Sequence, residues 1–167
     1  MKRLALLAAT LLLTGCNFHF SIPAHVITTV DSVSDADGQK VHNRLVFTDY
    51  VMRAALGNNP TTAAYITIKN EGDRADRLVS AACACAQSAT LHTMAMQGQA
   101  MIMEEPKDGF PIAPGQTLVF KPGGNHIMLS GLTDRPVAGG VETVTLHFER
   151  AGDVKLAMPV SDTPQAQ

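Results

Sequence analysis

The chain has no tryptophan, and only 5% of its residues are aromatic, so it offers no platform of stacked rings for a planar ligand. It also has no basic run, and its formal net charge is -2, which argues against nucleic acid as a partner. No HExxH motif, Ser-His-Asp set or paired-carboxylate signature is found, so an enzyme is the least supported class of protein. A length of 167 residues predicts one domain with tails.

Residues 1–15 are predicted to be a lipoprotein-type signal peptide. Lys2 and Arg3 precede an apolar run of about ten residues, which is too short to span a bilayer. The run ends in Leu13-Thr14-Gly15-Cys16, which is typical of a bacterial lipobox with Cys16 as the lipidated residue. An ordinary cleaved signal with an incidental cysteine is the alternative.

Acyl chains on Cys16 would anchor the protein to a membrane, so we expect it in the periplasm or cell envelope. By resemblance to lipoprotein sorting signals, Asn17 rather than an aspartate at this position favours the outer membrane if the host is Gram-negative. Residues 16–44 are expected to form the lipidated terminus and a tether, because residues 30–40 are small, polar and acidic.

Alternating apolar and polar residues predict a β domain over residues 45–160, followed by a flexible tail at 161–167. Loops are expected at 106–114 and 121–125. Many short strands separated by turn residues predict a sandwich or barrel. Residues 45–56 begin the domain, and the predicted strands are 64–69, 77–82, 89–96, 101–104, 116–120, 127–130, 142–150 and 154–160.

Methionine and histidine are concentrated in one part of this domain. Five of the eight methionines and two of the six histidines lie between positions 92 and 128. Imidazole and thioether groups suit a soft ion of low charge, and thioether sulfur selects Cu(I) over the ions that prefer oxygen. We therefore hypothesise a Cu(I) site, with methionines that merely fill an apolar core as the alternative.

Strand periodicity brings several of these residues together. His126 and Met128 would share one face of a strand, because side chains two positions apart project from the same side. A turn at 97–100 would place the strand carrying Met94 and Met96 beside the strand carrying Met101 and Met103. The methionines would then line a pair of adjacent strands.

The chain resembles the periplasmic copper chaperone family PCuAC. Its signature is a histidine, a methionine about ten residues later, and a later His-x-Met, which here are His92, Met103 and His126-x-Met128. The segments 63–79, 112–132 and 144–149 are similar to strands and turns of that family, so the resemblance covers about 45–160.

The resemblance implies a cupredoxin-like Greek-key β-barrel or sandwich that binds Cu(I) through His92, Met103, His126 and Met128. The partner it implies is a copper-accepting protein, such as a subunit of cytochrome c oxidase or one of its assembly factors, and the chaperone is expected to be a monomer. The interval before His126 is about one residue longer than in some forms of the pattern, which leaves Met101 as an alternative to Met103.

Cys83-Ala84-Cys85 is not expected from the resemblance and permits three interpretations. The pair could form a disulfide in an oxidising compartment, supply thiolates to a second copper, or act as two small buried apolar residues. The histidines of the tether, His19, His25 and His42, could hold Cu(II) loosely at a secondary site, but solvated histidines are favoured.

Two other functions are kept as alternatives. A cupredoxin-like electron carrier would need a cysteine thiolate beside two histidines and a weak methionine ligand, and only Cys83 or Cys85 could supply it. A metal-free envelope lipoprotein that binds another protein would show no copper affinity.

Overall fold

The computed structural model describes residues 28–30, 33–34, 40–41 and 44–164. The signal peptide, the lipobox with Cys16 and Asn17, the three tether histidines and the last three residues lie outside the described residues. Among the described residues, no helix is long and apolar enough to cross a membrane.

The described residues form thirteen strands, so the all-β prediction is confirmed. In chain order they are β1 Thr28–Val30, β2 Val33–Ser34, β3 Lys40–Val41, β4 Leu45–Arg53, β5 Thr61–Asn70, β6 Asp76–Cys83, β7 Ala86–Gln97, β8 Ala100–Glu104, β9 Phe110–Ile112, β10 Thr117–Phe120, β11 His126–Leu132, β12 Val141–Phe148 and β13 Gly152–Ser161.

These strands follow one continuous hydrogen-bonded path, β8-β7-β11-β5-β4-β13-β12-β6-β9. β1 adds to β4 and β10 adds to β5, while β2 and β3 pair with each other. The strand pairs on the long path are antiparallel except β13 with β4, which run parallel. Apolar residues of both halves of the path face one core, where Phe47 of β4 contacts Phe148 of β12 with ring centroids 5.9 Å apart.

The prediction of a loop over 106–114 is wrong at its centre, because β9 lies there and pairs with the start of β6. Ile112 is fully buried, and the ring of Phe110 packs against Phe120 at 5.1 Å. Pro111 lacks an N–H donor, which is tolerated because β9 is the last strand of the path and so an edge strand. The proline obscured a short alternating strand.

The buried carboxylate of Asp76 joins the start of β6 to the turn after β12. Asp76 accepts backbone N–H bonds from Arg77 at 2.7 Å and from Arg150 and Ala151 at 3.0 Å. Backbone donors satisfy the charge, so Asp76 ties the start of β6 to the turn after β12 and has a structural role.

We expect Asp76→Ala to lower the free energy of unfolding by about 3 kcal/mol, because three backbone donors lose a charged acceptor in a buried place. Asp153→Ala is the control, since Asp153 only forms an exposed ion pair with His147 and should cost less than about 1 kcal/mol. Urea denaturation of both variants measures the difference. Equal losses would show that the Asp76 network does not stabilise the fold.

Candidate metal centre

The centre of the site is a pair of histidines on neighbouring strands. His92 of β7 lies directly opposite His126 of β11 in the strand register. Their sequence neighbours Leu91 and Ile127 are buried in the core, with 4% and 0% of their surface exposed. Because alternate side chains point to opposite faces, both histidines project from the outer face of the sheet. Their rings meet edge to face with centroids 5.3 Å apart.

The methionines extend this pair into a ladder on the same face. β7 and β8 are joined by Gly98 and Gln99, and Gly98 has a φ of 65°, as the first position of a tight hairpin turn requires. The register places Met94 opposite Met103 and Met96 opposite Met101. The predicted turn and the predicted side-by-side methionine strands are therefore confirmed.

The register also separates the two methionines that sequence spacing left as alternatives. Met103 is opposite Met94, which is two residues from His92, so Met103 is a diagonal neighbour of His92. Met101 lies one rung further toward the turn. Met128 is opposite Thr90, two residues from His92 in the other direction. Long side chains reach such diagonal neighbours, so His92, Met103, His126 and Met128 share one patch of the face.

In each histidine, one ring nitrogen has a hydrogen-bond partner and the other has none among the described residues. Nδ1 of His126 donates to the carbonyl oxygen of Gly124 at 3.0 Å, which leaves a lone pair on Nε2. Nε2 of His92 lies 3.0 Å from Oγ1 of Thr90, while Nδ1 of His92 is buried and has no hydrogen-bond partner among the described residues.

An unpartnered buried nitrogen is costly and uncommon, and ligating histidines commonly fix their orientation through the second nitrogen. The two rings therefore fit a metal ion that neutral imidazoles would hold. Thr90 escaped the sequence analysis, although its position two residues before His92 on a predicted strand already placed it on the same face.

The loop before β11 also supports the site. Oγ1 of Thr93 donates to Oδ1 of Asn125 at 2.7 Å, and the backbone N–H of Lys121 donates to the carbonyl of Asn125 at 2.7 Å. Asn125 thereby holds the loop against β7 immediately before His126. Sequence reasoning placed this loop correctly but gave no role to Asn125, because a side-chain contact across 32 positions leaves no local signal.

Burial lowers the pKa of the His92 imidazole below 6.5, and the nearby His126 acts in the same direction, while Glu105 opposes them. A lower pKa keeps the ring neutral at mildly acidic pH. Only a neutral imidazole binds a metal ion, so the environment of His92 favours its ligating form.

The two cysteines lie at the other end of β7. Cys83 and Cys85 form a disulfide across the turn between β6 and β7. Cys85 precedes His92 by seven residues, which corresponds to about 23 Å along a strand. The Glu142 carboxylate lies near both sulfurs, within 4.8 Å, but disulfide sulfurs are not thiolates. Neither described cysteine reaches the histidine pair, which removes the basis for a blue-copper electron carrier.

Comparisons with known proteins found a matching family model and a similar protein. A family model described as "Putative lipoprotein LpqE-like" matches residues 45–160. "Putative lipoprotein Lxx21020" of Leifsonia xyli subsp. xyli (strain CTCB07) is 38% identical over 163 residues, which cover 97% of this chain and 90% of the relative.

Solved structures of PCuAC domains are also similar. The copper-bound PCuAC domain from PmoF2 is 25% identical with a TM-score of 0.59, and the match covers 71% of this chain and 93% of that domain. The Cu(I) form of DR1885 from Deinococcus radiodurans is 28% identical with a TM-score of 0.58, covering 68% of this chain and 76% of that protein.

The apo PCuAC domain from PmoF1 has the same fold, with a TM-score of 0.62 at 22% identity. This match covers 81% of this chain and 100% of that domain. The predicted cupredoxin-like β-sandwich is thereby confirmed. The family match over residues 45–160, together with the similarity to copper-bound PCuAC domains, shows that the chain belongs to the LpqE-like lipoproteins of the PCuAC copper-chaperone family.

Proposed function

We propose that this protein is an extracytoplasmic chaperone that binds Cu(I) through His92, Met103, His126 and Met128 and passes it to a partner. The observation that carries the proposal is the cross-strand pair His92 and His126, in which each ring keeps one nitrogen free of hydrogen bonds to described residues. Met103 and Met128 flank this pair on the same face, and their thioethers favour Cu(I) over harder ions.

The ligand set suits transfer of the ion. All four side chains are neutral, so the bound ion keeps its single positive charge and no anionic cage holds it. His126 is 9% exposed, whereas Met103 is 49% exposed. Ligands of a partner would therefore displace the exposed thioether first and the buried imidazole last, with each step exchanging one weak bond for another.

The proposed acceptor is a copper site of cytochrome c oxidase or of one of its assembly factors, and the proposed location is the cell envelope. A lipid on Cys16 would hold the chaperone at a membrane of the cell envelope. The support is the lipobox sequence ending at Cys16 and the lipoprotein descriptions of the matching family and relative.

We expect the double variant Met103→Leu/His126→Ala to lower the Cu(I) affinity by at least about a hundredfold, which corresponds to about 2.7 kcal/mol. Met101→Leu should leave the affinity of this site within about threefold of wild type, because Met101 lies one rung further from the histidines than Met103 does. Anaerobic competition titration with a Cu(I) chelator measures all three proteins.

Cys83→Ser/Cys85→Ser is the control for this titration, and its affinity should equal that of wild type because the disulfide is remote from His92. Unchanged affinity in Met103→Leu/His126→Ala would refute the ligand assignment. Wild-type protein that binds no copper would leave the metal-free lipoprotein as the function.

Thr90→Val should lower the Cu(I) affinity by about tenfold, the usual scale for a residue that orients a ligand. Valine keeps the branched shape but removes the hydroxyl that holds Nε2 of His92. Thr143→Val is the matched control, since Thr143 is an exposed residue of β12, a strand that pairs with neither β7 nor β11. A Thr90→Val protein with wild-type affinity would show that the ring needs no such support.

The lowered pKa of His92 also predicts a pH dependence of the metal-free protein. A histidine whose folded pKa is below its unfolded value of 6.5 contributes stability that is complete above 6.5 and is lost as the pH falls through the folded pKa. The free energy of unfolding should therefore fall as the pH drops below 6.5, and His92→Gln should remove part of this slope. Denaturant titrations of wild type and His92→Gln at several pH values below 6.5 measure this slope. An identical slope in the two proteins would contradict the prediction.

A further inference from the structure

The tip of the β7–β8 hairpin exposes large apolar side chains that the four proposed ligands do not explain. Met96 is 63% exposed and Met101 is 60% exposed. With Met103 they account for three of the eight exposed large hydrophobic residues among the described part of the chain. Single exposed apolar residues are ordinary, but a contiguous cluster of them calls for a function.

The strand register places the thioethers of this cluster next to one another on one face. Met96 and Met101 are direct cross-strand neighbours, and Met94 and Met103 form the adjacent rung. Directly opposed side chains begin about 5 Å apart, and the unbranched methionine side chain adapts easily to a shared partner. Three or four sulfurs can therefore meet over the hairpin face without any movement of the backbone.

The methionines of the hairpin are confined to one of its two faces. Ala95 and Ile102 form the rung between the two methionine pairs and point to the opposite side. All four methionines of the hairpin share the side on which His92 and His126 project. The methionine rungs are thus a direct continuation of the histidine pair toward solvent.

We propose that Met96 and Met101, with Met94 as a third thioether, form a second Cu(I) position through which the ion enters and leaves the histidine site. This inference rests on the proposed function, since it takes Cu(I) as the cargo. The class of ligand is a soft monovalent ion, because thioethers without thiolate, imidazole or carboxylate have little affinity for harder cations.

Movement between the two positions is a ligand exchange. As a bond from copper to an imidazole nitrogen breaks, a bond to Met94 forms, and a bond to Met103 then breaks as a bond to Met96 or Met101 forms. No electron or proton is transferred, because every donor is neutral before and after each step. Met96 is four residues from His92, about 13 Å along the strand, and the rung of Met94 and Met103 divides this interval into two steps of about 7 Å that flexible side chains can span.

The first test uses Ag(I) as a redox-inert probe and the mature chain with both site histidines replaced, His92→Ala/His126→Ala. Titration followed by NMR of the methionine ε-methyl groups should shift the signals of Met96 and Met101. Met52 and Met158 are fully buried in the core, so their methyl signals are internal controls and should not move. Adding Met96→Leu/Met101→Leu should weaken Ag(I) binding by at least about tenfold, while leucine keeps the hairpin apolar.

The second test measures the rate at which Cu(I) passes from otherwise wild-type protein to a chelator. Met96→Leu/Met101→Leu should slow this transfer by about tenfold. The equilibrium affinity is measured on the same samples, so that slower transfer is not mistaken for tighter binding. Val119→Ala, which removes an exposed apolar side chain outside the hairpin, should transfer copper at the wild-type rate.

The outcomes separate this inference from the proposed function. Unshifted Met96 and Met101 methyl signals, or a transfer rate that the leucine substitutions do not change, would overturn the second position while wild-type Cu(I) binding upholds the chaperone. Failure of the wild-type protein to bind Cu(I) at all would instead overturn the proposed function.

Discussion

The alignment of β7 with β11 is the constraint on which the candidate site depends. A shift of one residue between paired strands turns every side chain to the opposite face, and here it would bury His92 and expose Leu91. The burial of Leu91 and Ile127 in the core therefore fixes the register that brings His92 opposite His126. The two histidines lie outside the core, yet core packing determines their geometry.

The same placement sets the electrostatics of the histidine pair. The outer face would ordinarily be well solvated, but His126 is nearly buried and Nδ1 of His92 is enclosed. Burial disfavours the charged form of an imidazole, which agrees with the lowered pKa of His92. The environment of His92 thus favours a neutral imidazole.

Sequence alone predicted the parts of this structure that follow from strand periodicity. Alternation predicted an all-β domain, and a turn at 97–100 was the condition under which the methionine strands would pair. Spacing could not choose between Met101 and Met103, because that choice depends on the exact register of β8. The support from Thr90 and Asn125 depends on ring orientation and on a contact between distant segments, neither of which leaves a pattern. The strand β9 was not predicted because it contains Pro111. Proline is tolerated there because β9 is an edge strand, which is evident only in the assembled sheet.

Exposure along the ladder changes in one direction, and this gradient relates the fold to the handling of an ion. His126 is buried at one end, Met103 is half exposed, and Met96 at the turn is the most exposed of the set. Imidazole groups occupy the sheltered end and thioethers the open end, because the residues of β7 and β8 become more exposed toward the turn. The strand period that builds the core therefore also arranges these side chains by accessibility.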